Sequence, residues 1–196
     1  NEQLKADNKK YKKELDIKDI SKYEPISSTV IARNPDQWMN TVIIDKGAKS
    51  GIQNNMAVMT SQGLVGRVTK VNQFSAQVDL ISTNARTGKL SVNIQHGDKK
   101  VFGLIDRYDS KKQELIISEV NNKNKISAGD KVVTSGLGDQ LPSNLYVGEV
   151  TQVENDQYGL AKELRVKTAA DLGDLNHVYI AKRDPKTLPD DESRDE

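Results

Sequence analysis

The sequence predicts a mainly β protein in which an N-terminal helix is followed by two small six-stranded antiparallel β-barrels. Three observations carry that prediction. Residues 1–22 lack Gly and Pro and are rich in Lys, Glu, Asp and Leu, the composition of an exposed helix. From Ile26 onward the pattern changes to twelve short runs rich in Val, Ile and Thr, divided by Gly, Asn, Asp and Lys, which is how strands read. Blocks from the first six runs then recur in the same order among the second six, the mark of a duplicated unit. No helical pattern between the runs is long enough for a crossover, so the strands pair antiparallel in barrels or sandwiches.

In the helical segment Leu4, Asn8, Tyr11 and Leu15 follow spacings of four, three and four residues, which sets them on one stripe. So thin a stripe is marginal alone in water and needs a partner helix or an upstream continuation, so it reads as a short coiled-coil seam, with Asn8 a register-setting polar residue. The alternative is an amphipathic helix folded back on its own domain. Pro25 ends the helix in either case, because its ring is excluded from a helix interior.

The first six strands are expected at Ile26–Arg33, Thr41–Asp45, Met56–Thr60, Leu64–Val71, Ala76–Ile81 and Lys89–Gln95. The second six are expected at Val101–Arg107, Glu114–Val120, Lys131–Thr134, Tyr146–Val153, Lys162–Thr168 and His177–Lys182. The internal similarity joins Val58-Met59-Thr60-Ser61 to Val132-Val133-Thr134-Ser135, and the stretch Val65 to Val71 to the stretch Val147 to Val153. The offset grows from 74 (58 to 132) to 82 (65 to 147). The eight extra residues fall around Gly138 to Ser143, a turn-rich stretch where insertion costs little. Chance likeness between Val- and Thr-rich strands is the competing explanation, since β sequences draw on few residue types. A linear division follows: 1–23 coiled-coil helix, 24–100 first barrel, 101–183 second barrel, 184–196 a disordered acidic tail ending Asp190-Asp191-Glu192-Ser193-Arg194-Asp195-Glu196. The alternative division has strands within 150–183 returning to complete the first barrel.

Composition excludes several function classes. The 29 basic and 28 acidic side chains balance, so no long-range field draws the chain to nucleic acid or an anionic membrane. Cysteine is absent, which removes disulfide frameworks, thiolate metal sites and cysteine nucleophiles. No apolar run approaches the roughly 20 residues of a membrane-spanning helix. The chain starts at Asn1 within a helical pattern, and is expected to be a fragment of a longer protein with a targeting segment upstream.

Candidate chemistry is sparse. The two histidines, His96 and His177, show no ligand spacing for zinc, and His177 reads as a strand-end residue. A double barrel with His96, then Asp106 or Asp109, then Ser135 invites comparison with chymotrypsin-like proteases, which use His, Asp and Ser in that order. Ser135, however, stands in Val133-Thr134-Ser135-Gly136-Leu137, a strand entering a turn rather than a nucleophile context that shapes an oxyanion hole. Gly63-Leu64-Val65-Gly66 and Gly136-Leu137-Gly138 open no helix after a strand, so they are not phosphate loops. No cofactor motif is present. Six Tyr, two Phe and one Trp spread along the chain make no stacking platform for single-stranded nucleic acid. Binding remains: Trp38 and Met39, after Asn34-Pro35-Asp36-Gln37 in a loop, suit an interface anchor, as do Leu145 and Tyr146 beside the extra turn. Each pair alternatively covers the end of a barrel.

Four ordered features resemble the MreC family from about Ile26 to Lys182. They are Val30-Ile31-Ala32-Arg33-Asn34-Pro35 followed by Trp38; Ile44-Asp45-Lys46-Gly47 with Gly51-Ile52; Gly63-Leu64-Val65-Gly66-Arg67-Val68; and Gly129 through Gly136, continued by Pro142 and Val147-Gly148-Glu149-Val150. The resemblance implies a coiled-coil helix and two barrels reminiscent of chymotrypsin-like proteases without their triad. It implies a membrane-spanning helix upstream, barrels on the extracytoplasmic side and self-association as a homodimer or higher. The implied partners are class B penicillin-binding proteins, the RodA-type glycan polymerase, MreD and MreB, with no enzymatic role and no cofactor. The implied function is a scaffold that maintains cell shape by organising peptidoglycan synthesis. An adhesin-like or inhibitory extracellular binding module is the alternative, and a residual serine protease the third. Ser143-Asn144 departs from the family pattern, in which a Gly commonly stands between the Pro and the following Leu-x-Val-Gly.

Overall fold

The computed structural model describes residues 2–5, 8, 24–35, 40–83, 90–118, 120, 126–137, 141–155 and 161–181. Residues 2–5 and 8 are helical, and both Leu4 and Asn8 are exposed. Tyr11, Leu15, Trp38, Met39 and the acidic tail lie outside the described residues.

Twelve strands follow in chain order: β1 (Ile26–Pro35), β2 (Asn40–Ile44), β3 (Ala57–Met59), β4 (Leu64–Val71), β5 (Ala76–Leu80), β6 (Ser91–His96), β7 (Lys99–Asp109), β8 (Glu114–Ser118), β9 (Lys131–Thr134), β10 (Tyr146–Asn155), β11 (Ala161–Thr168) and β12 (His177–Ala181). Every predicted run is a strand, with ends shifted by a few residues. All pairings are antiparallel, and they close two barrels in the orders β1-β12-β3-β4-β5-β2 and β10-β11-β8-β7-β6-β9. Closure removes the unpaired edges that strands this short would otherwise present.

The linear division at residue 100 is corrected by this topology. β6, placed with the first six strands by chain order, pairs with β7 and β9 in the second barrel. β12 crosses back to pair with β1 and β3 in the first. Each barrel is therefore five consecutive strands (β1–β5 or β7–β11) closed by a sixth, supplied from the far end of the chain in one case and from just upstream in the other. The physical reason is closure itself: a five-strand sheet has two open edges, and only a strand that pairs with both can seal it.

Within those frames the two barrels repeat in register. Val58 faces Gly66 across β3 and β4, with a bulge before Met59 meets Leu64. Val132 faces Gly148 across β9 and β10, with a bulge before Val133 meets Tyr146. The β4–β5 and β10–β11 ladders carry bulges at matching places, between Val68 and Lys70 and between Val150 and Gln152. Bulges follow Val30 on β1 and Ile105 on β7 as well. Shared irregularities of this kind are local devices that re-aim a strand, so the repeat in the sequence corresponds to a repeat in the backbone.

Alternation sorts the side chains into two cores. Val42, Ile44, Val58, Val65, Val68, Val78, Val178 and Ile180 fill the first barrel; Val92, Ile94, Leu115, Ile117, Val132, Val147, Leu164 and Val166 fill the second. The neighbours of the first set on β3, β4 and β12, namely Ala57, Met59, Leu64 and Ala181, belong to the second cluster. Those three strands thus bury both faces, one inward and one against the second barrel, which is why β3 and the start of β4 are apolar at consecutive positions rather than alternating.

Candidate functional site

The would-be catalytic residues are dispersed. His96 Nδ1 lies 2.8 Å from an Asp130 carboxylate oxygen, and that oxygen also accepts the Ser127 backbone N–H at 2.9 Å. Ser135 sits at the other end of the same strand pair: its N–H donates to the Ser91 carbonyl, and its hydroxyl is 2.7 Å from that of Ser91. Since Gln95 faces Lys131 while Val92 faces Thr134, His96 and Ser135 are separated by most of β6, about 13–17 Å at 3.3 Å per residue. Asp106 pairs with Arg107 and Asp109 with Arg165. Arg165 holds Asp109 below the ordinary carboxylate range, assisted by the Lys112 and Lys111 N–H groups. Each triad candidate therefore has a separate structural partner. His177 is exposed at the start of β12. Among the described residues no group of three or more His, Asp or Glu side chains is gathered as a metal site.

Leu145 and Tyr146, expected as partner anchors, are corrected to core positions: they are 1% and 7% exposed. Leu145 joins Leu141 in the cluster that contacts Ala57, Met59, Leu64 and Ala181 of the first barrel. Leu141 and Leu145, at the end of the turn-rich stretch of the second repeat unit, thus belong to a cluster that takes in residues of both barrels. Their turn is built on Thr134, whose hydroxyl donates to the Pro142 carbonyl at 2.6 Å and accepts the Leu145 N–H at 2.9 Å. Asn144 adopts φ 64°, the left-handed region where glycine is at ease and Asn is tolerated. The departure at Ser143-Asn144 therefore preserves the turn.

Among the described residues, two regions are candidates for binding. On the second barrel one row crosses four strands through Phe102, Asn93, Val133 and Tyr146. These residues alternate with Val92, Ile94, Val132 and Val147 of the core, so the row points away from the barrel interior, but Val133 and Tyr146 are buried there and only Phe102 and Asn93 reach the surface. Phe102 is 38% exposed, and Leu137, in the turn after β9, is 62% exposed. Lys131, ion-paired with Glu149, places its ammonium 5.7 Å from the Tyr146 ring centroid. What this barrel presents to solvent is therefore two separate apolar side chains, Phe102 and Leu137, and a charged pair, Lys131 with Glu149.

The second surface is a cleft of about 550 Å³ between the barrels, walled by Arg33 and Asn40 of the first, by Tyr108 and the β7–β8 turn of the second, and floored by Lys167 and the segment 168–173. Arg33 donates to the Leu172 carbonyl at 2.6 Å and to the Asn40 side-chain oxygen at 3.4 Å, so its guanidinium is held in place. Burial raises the Tyr108 hydroxyl above the ordinary tyrosine value, with Arg33 opposing the shift and Asp171 and Asp109 adding to it. Sequence reasoning missed this cleft. Its residues come from four separate strands, two turns and a loop and form no local motif, and Arg33 alone stood inside a singled-out block.

The model of the family described as "Rod shape-determining protein MreC, barrel core" matches residues 30–182. A cell shape-determining protein MreC of Listeria monocytogenes is 41% identical over 181 residues, covering 92% of this chain and 61% of that protein, so the chain spans about three-fifths of that relative's length. Among solved structures, MreC of the same organism superposes with a TM-score of 0.76 at 40% identity, covering 92% of this chain and 86% of that one. The fold also matches, at 22% identity and a TM-score of 0.60, a chain from a complex between penicillin-binding protein PBP2 and MreC of Helicobacter pylori, covering 81% of this chain and 98% of that one.

Proposed function

The chain belongs to the MreC family, and from that premise we propose that it is a non-enzymatic scaffold of the cell-wall elongation machinery, holding peptidoglycan synthesis enzymes in place so that cell shape is maintained. The carrying observation is the pair of exposed apolar side chains on the second barrel, Phe102 and Leu137, with the Lys131–Glu149 ion pair on the same barrel: exposed apolar anchors on a barrel wall suit docking of another protein. The Helicobacter pylori relative was solved in a complex with PBP2, which supports a class B penicillin-binding protein as the partner of this chain. The dispersal of His96, Asp106, Asp109 and Ser135 supports a role without catalysis.

In this reading the seam Leu4, Asn8, Tyr11 and Leu15 joins two copies, and a membrane-spanning helix upstream places the barrels on the extracytoplasmic side. MreD, MreB and the RodA-type polymerase complete the assembly. The test is a pull-down of this chain against the extracytoplasmic region of a class B penicillin-binding protein, beside analytical ultracentrifugation of the chain alone. Saturable capture that Phe102→Ala and Leu137→Ala weaken about tenfold or more, by a dimer that Leu4→Glu with Leu15→Glu dissociates, is the expected result. Absence of capture from an intact dimer sinks the partner assignment; an unchanged mass in the Leu4, Leu15 double variant sinks the seam.

A further inference from the structure

We propose that the cleft between the barrels is a binding site for a short peptide bearing a free carboxylate. Two cations face it, Arg33 from β1 and Lys167 from β11. Among the described residues neither lies within ion-pair distance of a carboxylate, whereas Arg107, Lys131 and Arg165 on the second barrel are each paired. Arg33 is also preorganised: the Leu172 carbonyl and the Asn40 side chain fix its planar fork and leave the remainder of its five N–H donors for a ligand. A fixed guanidinium matches a carboxylate in two parallel hydrogen bonds and loses little entropy in doing so.

The rest of the lining suits a peptide rather than a bare anion. Gln113 offers an amide group that donates and accepts, and the half-buried Tyr108 ring offers an apolar wall. Asp171, whose Oδ1 accepts the Gly173 N–H at 3.0 Å, places an anion at the same floor, where it accepts an amide N–H or an amine and repels a dianion. A volume of about 550 Å³ falls within the roughly 300–1,000 Å³ of small-ligand sites. The walls are rigid, because the β7–β8 turn is tied by Asp109 to the Lys111 and Lys112 N–H groups and by Arg165 to β11. The choice of a wall-type peptide as the natural ligand rests on the scaffold reading above; uncross-linked peptidoglycan peptides carry such carboxylates. A scaffold that senses them would register where unfinished wall lies.

The test is an NMR titration of the chain with a synthetic Ala-Glu-Lys-Ala tetrapeptide, its fully amidated counterpart and inorganic phosphate. Saturable shifts at Tyr108 and residues 168–173 with the free peptide are expected. Binding should weaken about tenfold for the amidated peptide and for Arg33→Gln or Lys167→Gln, the loss of one charge-assisted contact. Lys167 is exposed on its strand, so K167Q keeps the test valid should R33Q disturb the 172 loop. No saturable shift, equal binding by the variants, or equal binding of phosphate overturns the proposal. Capture of the penicillin-binding protein by K167Q is measured separately, so the failure of the cleft and the failure of the scaffold reading give different results.

Discussion

Gly66 and Gly148 occupy the same place in the two barrels. A Cβ added at Gly66 would collide with the Asp79 carbonyl oxygen, and one added at Gly148 with the Lys167 carbonyl oxygen. Each glycine lies opposite the matching valine of the preceding strand, Val58 or Val132. The close approach of β4 to β5 and of β10 to β11 thus requires glycine twice for one reason.

Gly66→Ala and Gly148→Ala are accordingly expected to cost about 2–4 kcal/mol each, since the obstructing atom is backbone and has no rotamer to change. Urea unfolding of the two variants checks this. A loss below about 0.5 kcal/mol at either position would mean that the ladders relax apart without penalty.

Asn144 makes a smaller, signed prediction. At φ 64° glycine is free of Cβ strain and a β-branched residue is not, so Asn144→Gly should be neutral within about 0.5 kcal/mol and Asn144→Val destabilising by about 1–3 kcal/mol. Thermal unfolding of the pair decides it. Equal effects of the two substitutions would remove backbone conformation as the reason for Asn here.

The crossing of β12 predicts an asymmetric response to truncation. A chain ending at Asn176 lacks the strand that seals β1 to β3, while the second barrel, complete within residues 91–168, keeps all six of its own. Hydrogen exchange should show protection lost across residues 26–83 and retained across 91–168. Uniform loss would show that the two barrels unfold as one cooperative unit.

These elements also show what could be read from sequence. The strands were legible because alternation of Val and Ile with polar residues is local, and Leu64–Val71 and Lys131–Thr134 fell at their observed ends. Membership of β6 was not, and that of β12 entered only as the alternative in which strands within 150–183 return to the first barrel, since pairing with both edges of a five-strand sheet is a property of closure and leaves no mark within the strand. Leu145 misled for a related reason: a residue beside a turn-rich stretch reads as exposed, whereas here it is buried in a cluster that also holds Ala57, Met59, Leu64 and Ala181 of the first barrel. The cleft was the least legible feature. Arg33, Tyr108 and Lys167 are unremarkable in sequence and acquire meaning when three strands bring them to one place.

The acid limb of stability should follow Asp109 and Asp45. Arg165 holds Asp109 below the ordinary value of 3.8, and the Thr29 N–H followed by the Ser28 hydroxyl does so for Asp45. A carboxylate with its pKa depressed in the folded state contributes its stabilisation in full above the unfolded value and loses it as pH falls through the folded one. Urea midpoints measured from about pH 6 down to about pH 2.5 should therefore be flat at first and drop below about pH 4. Asp109→Asn and Asp45→Asn should each shallow that drop. An unaltered slope in both variants would assign acid sensitivity to other carboxylates.

The most consequential prediction concerns the insertion that distinguishes the second repeat unit from the first. Leu141 and Leu145 are 6% and 1% exposed, and they pack in the cluster shared with Met59 and Leu64 of the first barrel. Truncating a buried leucine to alanine costs about 2–5 kcal/mol through lost burial and the cavity left behind. Here the loss falls at a junction rather than inside a barrel, because the two sealed barrels keep their own ladders. Leu141→Ala with Leu145→Ala should consequently loosen the relative placement of the barrels before it unfolds either. Spin labels at Ser50 in the first barrel and Lys111 in the second, both exposed, would report a broadened distance distribution while circular dichroism stays β-like. On the proposed scaffold reading, the Phe102 face on the second barrel would then lose its fixed relation to the first barrel, so capture of the proposed partner should weaken although that face has not been altered. A distance distribution as narrow as that of the unsubstituted chain would mean that Ala57, Met59, Leu64 and Ala181 hold the barrels together without the insertion.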